Sequence, residues 1–203
     1  MKTPFEGRVL SVKARIRLIR SFDRISTHQY QGYTLVMQGN VRGVERDFRI
    51  AVGPKAHERH QFRIGDRVSG IGVPVPDPGR EWADFYRISG LKLAERGPGR
   101  NGESPNPDGG IAPPLEVYRA NGHRRLDRGT WQAQCFRCPW GLEMVTEIIV
   151  DQWNQAGKEW RFETHCYGPK ECLMYNPGKP YRVPGRKPGM VFIDDDVERT
   201  SSG

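Results

Sequence analysis

The chain has 203 residues and a mass of 23.2 kDa, room for two small domains, with 24 Gly, 16 Pro and a net charge of +8 from 32 Lys and Arg against 24 Asp and Glu. So many turn-formers exclude a long helical bundle, and no run of about 18 apolar residues exists to cross a membrane as a helix. Three quarters of the basic residues are arginine, which suits bidentate phosphate contacts and base stacking, and Met1-Lys2-Thr3-Pro4-Phe5-Glu6 places charge where a signal peptide needs an apolar core, so the expected location is the cytoplasm.

Residues 10–18 alternate, with Leu10, Val12, Ala14, Ile16 and Leu18 on one face and Ser11, Lys13, Arg15 and Arg17 on the other, the pattern of a long half-buried strand. Tyr33 to Gln38 and Asp47 to Val52 repeat the alternation and predict a meander turning near Asn40 to Gly43. Residues 54–62 predict a short helix with Pro54 in its first turn, and Ile64-Gly65-Asp66 is a turn feeding a fourth strand through Val73. After a loop from Pro74 to Ala83, Tyr86, Ile88, Leu91 and Leu93 predict a fifth strand, bulged at Ser89-Gly90.

Five strands, the first long and a helix between the third and fourth, resemble an OB-fold over residues 5–95, and Phe62-Arg63-Ile64-Gly65-Asp66-Arg67-Val68 is similar to the way such domains enter their fourth strand. The resemblance implies oligonucleotide binding on strands two and three and in the loops joining strands one to two and four to five. Those positions are Arg20, Arg24, His28 and Tyr30 in the first loop, Arg80 and Trp82 in the second, and Arg49 on the third strand. Lys13, Arg15 and Arg17 join them as a basic strand face, for which an ordinary solvated face is the plain alternative. His57 and His60 are one helical turn apart but lack a third metal ligand nearby.

The charge is uneven. Residues 1–97 hold 18 Lys and Arg against 10 Asp and Glu, whereas residues 135–203 hold 9 against 10. Residues 97–116 contain five Gly and five Pro and read as a linker. The expected organisation is therefore a barrel-like domain (1–96), the linker (97–116), a four-cysteine module (117–176) and a flexible, acidic tail (177–203).

Within the module, Cys135 and Cys138 are separated by two residues and Cys166 and Cys172 by five, with a β-branched run at 144–150, a turn at Asn154-Gln155-Ala156-Gly157 and an alternating return strand at 160–166 between the pairs. Two close cysteine pairs joined by a hairpin suit a tetrahedral thiolate site. The segment resembles a zinc ribbon or treble-clef module, which implies a structural Zn2+ on all four cysteines. The wider second gap and Cys138-Pro139 also admit a 4Fe-4S cluster. His165 is a candidate substitute for Cys166, but it lies on the opposite strand face.

Glu143, Glu147 and Asp151 would line one face of a helix, but the β-branched content around them predicts a strand, and no P-loop, nucleophile elbow or dinucleotide fingerprint is present. The expectation is a mainly β, non-catalytic nucleic-acid-binding protein: an N-terminal OB-like barrel with a short helix gripping single-stranded or irregular DNA or RNA, and a zinc-ribbon-like C-terminal hairpin. The alternatives are an accessory subunit docking on a protein partner, or an iron–sulfur protein. No membrane role is expected.

Overall fold

A computed structural model describes residues 1–21, 26–98, 111–151, 154, 157–184 and 189–194. The fold is mainly β. Strands β1 (Thr3–Ser21), β2 (Ser26–Val41), β3 (Val44–Val52), β4 (Arg67–Pro74) and β5 (Phe85–Glu95) close into a ring in the order β1-β2-β3-β5-β4 and back to β1, with helix α1 (Pro54–His60) between β3 and β4. Alternating apolar residues make this ring: Phe5, Val9, Val12, Leu35, Met37, Phe48, Ile50 and Val68 are buried inside it. The β1–β2 hairpin is so close at Gly7 and Gly39, which face each other in register, that a Cβ on Gly39 would lie 2.4 Å from the Gly7 Cα. The expected bulge in the last strand is present: the β4–β5 register shifts around Ile71, and Gly90 has φ +59°. Asp66 of the Gly-Asp turn is buried, and its carboxylate accepts from the backbone N–H groups of Arg63 (3.0 Å) and Gly97 (2.8 Å), pinning the turn to the end of β5.

The sheet continues into the second half of the chain. The far end of β1 pairs in parallel with β7 (Gly141–Ile149), from Arg17 opposite Val145 to Ser21 opposite Ile149. β7 pairs with β8 (Lys158–Cys166), which pairs with the two-residue β6 (Arg124–Arg125). One apolar cluster spans both halves, from Phe5 and Val12 through Tyr118 to Trp131, Met144 and Tyr167. The two expected modules thus share a sheet and a core. The far end of the expected linker is also packed: Ala112 is buried, Tyr33 donates its hydroxyl to Pro113 O (2.9 Å), and His57 Nε2 lies 3.1 Å from Ala112 O. Residues 99–110 lie outside the described residues.

Helix α2 (Leu115–Asn121) follows, and α3 (Arg128–Thr130) runs into a wide helical turn, Trp131–Cys135. Part of the expected tail is ordered. β9 (Tyr181–Pro184) and β10 (Val191–Asp194) form a hairpin, Val183 is buried, and the Thr164 N–H donates to the Tyr181 hydroxyl (2.9 Å). The acidic end beyond Asp194 lies outside the described residues. No helix among the described residues is long and apolar enough to cross a membrane.

Candidate nucleic-acid interface and four-cysteine centre

The residues expected to touch nucleic acid fall into three environments. Lys13 and Arg20 are not surface groups. The sequence pattern put Lys13 on a solvated face, but residues 135–141 lie across that face, so Ser11 and Lys13 are as buried as their apolar neighbours. Lys13 Nζ donates to three backbone carbonyls, Cys135 O (3.1 Å), Cys138 O (2.7 Å) and Gly141 O. Burial lowers its pKa to about 8, opposed by the neighbouring cysteines and Glu143, so it is still largely an ammonium at neutral pH. Arg20 was expected in a loop. It lies instead in β1, in step with Val12, Ala14, Ile16 and Leu18 on the inner face, and it is closed over by β8, where Glu163 accepts from it at 2.7 Å. Arg161 also pairs with Glu163 at 2.6 Å, and the Arg20 and Arg161 guanidinium groups both face the ring of Tyr181.

Arg15, Arg17, Arg49, Arg80 and Trp82 do come together, around the loop from Val75 to Asp84. Hydrogen bonds between Asp84 and Arg49 hold the base of that loop to β3. Arg15 forms a two-pronged ion pair with Glu81 (3.0 and 2.5 Å), Arg49 pairs with Asp84 (3.4 Å), and Arg80 pairs with Asp77 (2.9 Å). Trp82 is buried, contrary to the exposed ring expected of a loop. Its Nε1 donates to Glu143 (2.8 Å) and its edge meets Trp131, while Arg49 covers its face at 5.3 Å. The ring that gathers the arginines is a different one, half-buried against the core. Trp160 of β8 has both Arg17 (5.4 Å) and Arg80 (5.3 Å) against it, and the Arg80 side chain is 58% exposed. The alternation in 160–166 had marked Trp160 as a hairpin residue, with no sign that the loop before β5 would reach it.

His28 and Tyr30 sit in a separate aromatic group. His28 Nδ1 lies 2.7 Å from the Tyr167 hydroxyl, and its ring is 4.1 Å from that of His123. Tyr30 is half-buried under Arg119, 4.8 Å from the ring. Arg24 lies outside the described residues. The carboxylates of β7 are structural: Glu143 holds Trp82 and Arg128, and Glu147 pairs with Lys158.

The β7–β8 register carries the cysteines to one end of the hairpin, because Gly141 at the start of β7 stands opposite Cys166 at the end of β8. The loop before β7 is a tight knuckle: the Cys138 N–H donates to Cys135 O (3.0 Å) and the Gly141 N–H to Cys138 O (3.3 Å). A Cβ at residue 141 would sit 2.7 Å from the Cys135 Cβ, so only glycine leaves space for that side chain. On the other side the Gly168 N–H donates to Cys166 Sγ (3.4 Å), and Arg124 Nη2 lies 3.9 Å from the same sulfur. All four thiols are free, Cys135 and Cys166 buried and Cys138 and Cys172 half-buried. Burial, then the neighbouring thiols of Cys138, Cys166 and Cys172, push the Cys135 thiol up to about 11, while Lys13 pulls it down. Burial also raises Cys166, opposed by the Gly168 N–H and Arg124.

Among the described residues no group of three or more His, Cys, Asp or Glu side chains stands in an arrangement that could hold a metal ion. The sulfurs are gathered within electrostatic reach of one another without being set in coordination geometry. As a donor set, four thiols have the chemistry of a thiophilic ion's ligands, and the Gly168 N–H and Arg124 both reach the Cys166 sulfur. His165 is fully buried on the opposite strand face, near Glu163 and Tyr181, and is not part of the cluster. Compared with known proteins, the chain matches no family model, no curated protein and no solved structure.

Proposed function

We propose that this is a non-catalytic nucleic-acid-binding protein in which the five-stranded ring acts as an OB-like barrel and the four cysteines bind a structural metal ion in a zinc-ribbon-like hairpin. The observation that carries the binding reading is the Arg17–Trp160–Arg80 stack on the loop before β5, with Arg15 and Arg49 beside it. A flat ring flanked by guanidinium groups offers a base a stacking surface and its phosphate a bidentate donor. Each arginine already has a carboxylate partner, so phosphate must displace Glu81 or Asp77, which favours moderate, strongly salt-dependent affinity. Fluorescence anisotropy with a labelled single-stranded oligonucleotide tests this. Binding that weakens steeply with salt, and a salt slope reduced by about one phosphate contact in Arg80→Ala, is the expected result. Affinity that is absent or indifferent to salt overturns it.

Support for the metal comes from the convergence of four thiols on one end of the β7–β8 hairpin. A Zn2+ held by four thiolates leaves no position for a catalytic water, so its contribution is to the fold. Elemental analysis with visible absorption separates the options: one zinc in a colourless protein, or iron and sulfide in a brown one for a 4Fe-4S cluster. A second reading, an accessory subunit docking on a partner protein, draws support from Leu173 and Met174, exposed apolar residues next to Cys172. Stoichiometric co-purification of a partner, without oligonucleotide affinity, favours that reading.

A further inference from the structure

Lys13 belongs to β1 of the ring, yet every hydrogen-bond partner of its Nζ lies in the knuckle more than 120 residues later. Three carbonyl oxygens saturate its three N–H bonds, but they are neutral dipoles, and no carboxylate oxygen of the described residues lies within ion-pair distance of Nζ. Buried ammonium groups in proteins are paired with an anion or face a charged centre. The nearest carboxylate acting on it, Glu143, is already engaged by Trp82 Nε1 and Arg128. What surrounds Lys13 is cysteine: Cys135, Cys138 and Cys166 are the strongest charges acting on it once ionised.

A second cation stands across the cluster. Arg124 of β6 reaches Cys166 Sγ (3.9 Å), lies over the Tyr175 ring (4.0 Å) and donates to the backbone carbonyls of Gly168 (3.3 Å), Pro169 (2.7 Å) and Lys170 (3.3 Å), with no carboxylate partner among the described residues. Four neutral thiols give two cations nothing to balance. Four thiolates around a divalent ion carry a net charge of −2, which one lysine and one arginine cancel.

We infer that Lys13 and Arg124 are the charge-compensating pair of the four-cysteine metal centre, and that Lys13, as a positioning residue, also clamps the 135–141 knuckle onto β1, so that metal loading and the docking of the hairpin on the ring are one event. This rests on the metal reading above and adds what holds the centre from outside its ligands. It requires that all four cysteines bind as thiolates. Gly141 serves the same arrangement: it packs against Cys135 and its carbonyl is one of the three that Lys13 holds, while Trp131 Nε1 donates to the same oxygen (3.2 Å). Groups that orient or neutralise ligands in this way are commonly worth 10–100-fold in metal affinity.

The test uses the full chain as wild type, Lys13→Met, Arg124→Gln and Arg124→Lys, with Lys55→Met, an exposed change on α1, as control. Co2+ is titrated in and its thiolate-to-cobalt absorption bands are followed against pH. The expected result is one Co2+ per wild-type chain, affinity at least fivefold weaker in Lys13→Met and Arg124→Gln with the pH midpoint of loading moved upward, and recovery in Arg124→Lys, which restores the charge. A loss of packing alone leaves the pH midpoint in place. If the wild type takes up neither Co2+ nor Zn2+, the metal reading fails and this inference with it. If the wild type binds and both variants stay within fivefold, the metal reading stands and the compensating pair is refuted. Should Lys13→Met fail to fold, Arg124→Gln and its rescue by Arg124→Lys decide by the same thresholds.

Discussion

Replacing Arg20 by Met tests whether the two halves of the chain are one folding unit. Its guanidinium reaches Glu163 through Nε (3.1 Å to both oxygens) and Nη2 (2.7 Å), and the two side chains are 1% and 0% exposed. Arg20 is in the first strand and Glu163 in the eighth, so the pair spans the seam where β1 meets the C-terminal hairpin. Removing one partner of a fully buried pair costs about 3–5 kcal/mol, because the remaining charge has no water to return to. Arg161 keeps two contacts with Glu163, through Nε at 2.7 Å and Nη2 at 2.6 Å, and its side chain is partly exposed, which places the expected loss at the lower end, about 3 kcal/mol. For a chain of this length that corresponds to a fall in melting temperature of roughly 6–12 °C. Urea unfolding followed by both tryptophan fluorescence and far-ultraviolet circular dichroism gives the free energy and tests for a single transition. The double change Arg20→Met with Glu163→Leu should recover most of the loss, because no charge is then left buried. A loss below about 1 kcal/mol, or a double variant weaker than the sum of the singles, refutes the argument. Two separate transitions in the wild type would refute the shared unit itself.

Other consequences follow from the same geometry. Trp160→Ala should weaken oligonucleotide binding by about 1–3 kcal/mol, the usual worth of one stacked base, and should cost less stability than Trp82→Ala, which should lose about 3–5 kcal/mol through a core cavity; paired anisotropy and thermal-melt measurements distinguish them. Gly141→Ala should destabilise the hairpin end, since its new methyl would meet the Cys135 side chain, and faster reaction of the thiols with a disulfide reagent would register it. Burial lowers the pKa of His57 below the ordinary 6.5, so the unfolded chain binds a proton that the folded one resists, and stability should fall as pH drops below about 6.5. His57→Gln should flatten that slope in melts between about pH 5 and 7.5, and an unchanged slope counts against the assignment.

How far the sequence carried depended on whether a signal was local. The alternations of β1, β2, β3 and β8 were legible because a strand's two faces repeat every second residue, and the Gly65-Asp66 turn, the helix opened by Pro54 and the bulge near Gly90 each had a residue whose backbone preference marks it. The cysteine spacing likewise pointed to a hairpin that brings its ends together. Alternation, however, tells only that two faces differ, and what covers the second face comes from elsewhere in the chain. Lys13 and Arg15 occupy the same face of the same strand, two residues apart. The knuckle roofs the first completely, while the loop before β5 leaves the second its carboxylate partner and some exposure to water. Trp82, expected in a binding loop, is buried for the same reason: burial of a ring depends on which distant segment packs on it. The local sequence therefore determined the strands and the turns. The parallel pairing of β1 with β7, which joins the two halves and sets Lys13 beside the thiols, was decided by tertiary structure, because long-range pairing depends on complementary surfaces that no window of sequence contains.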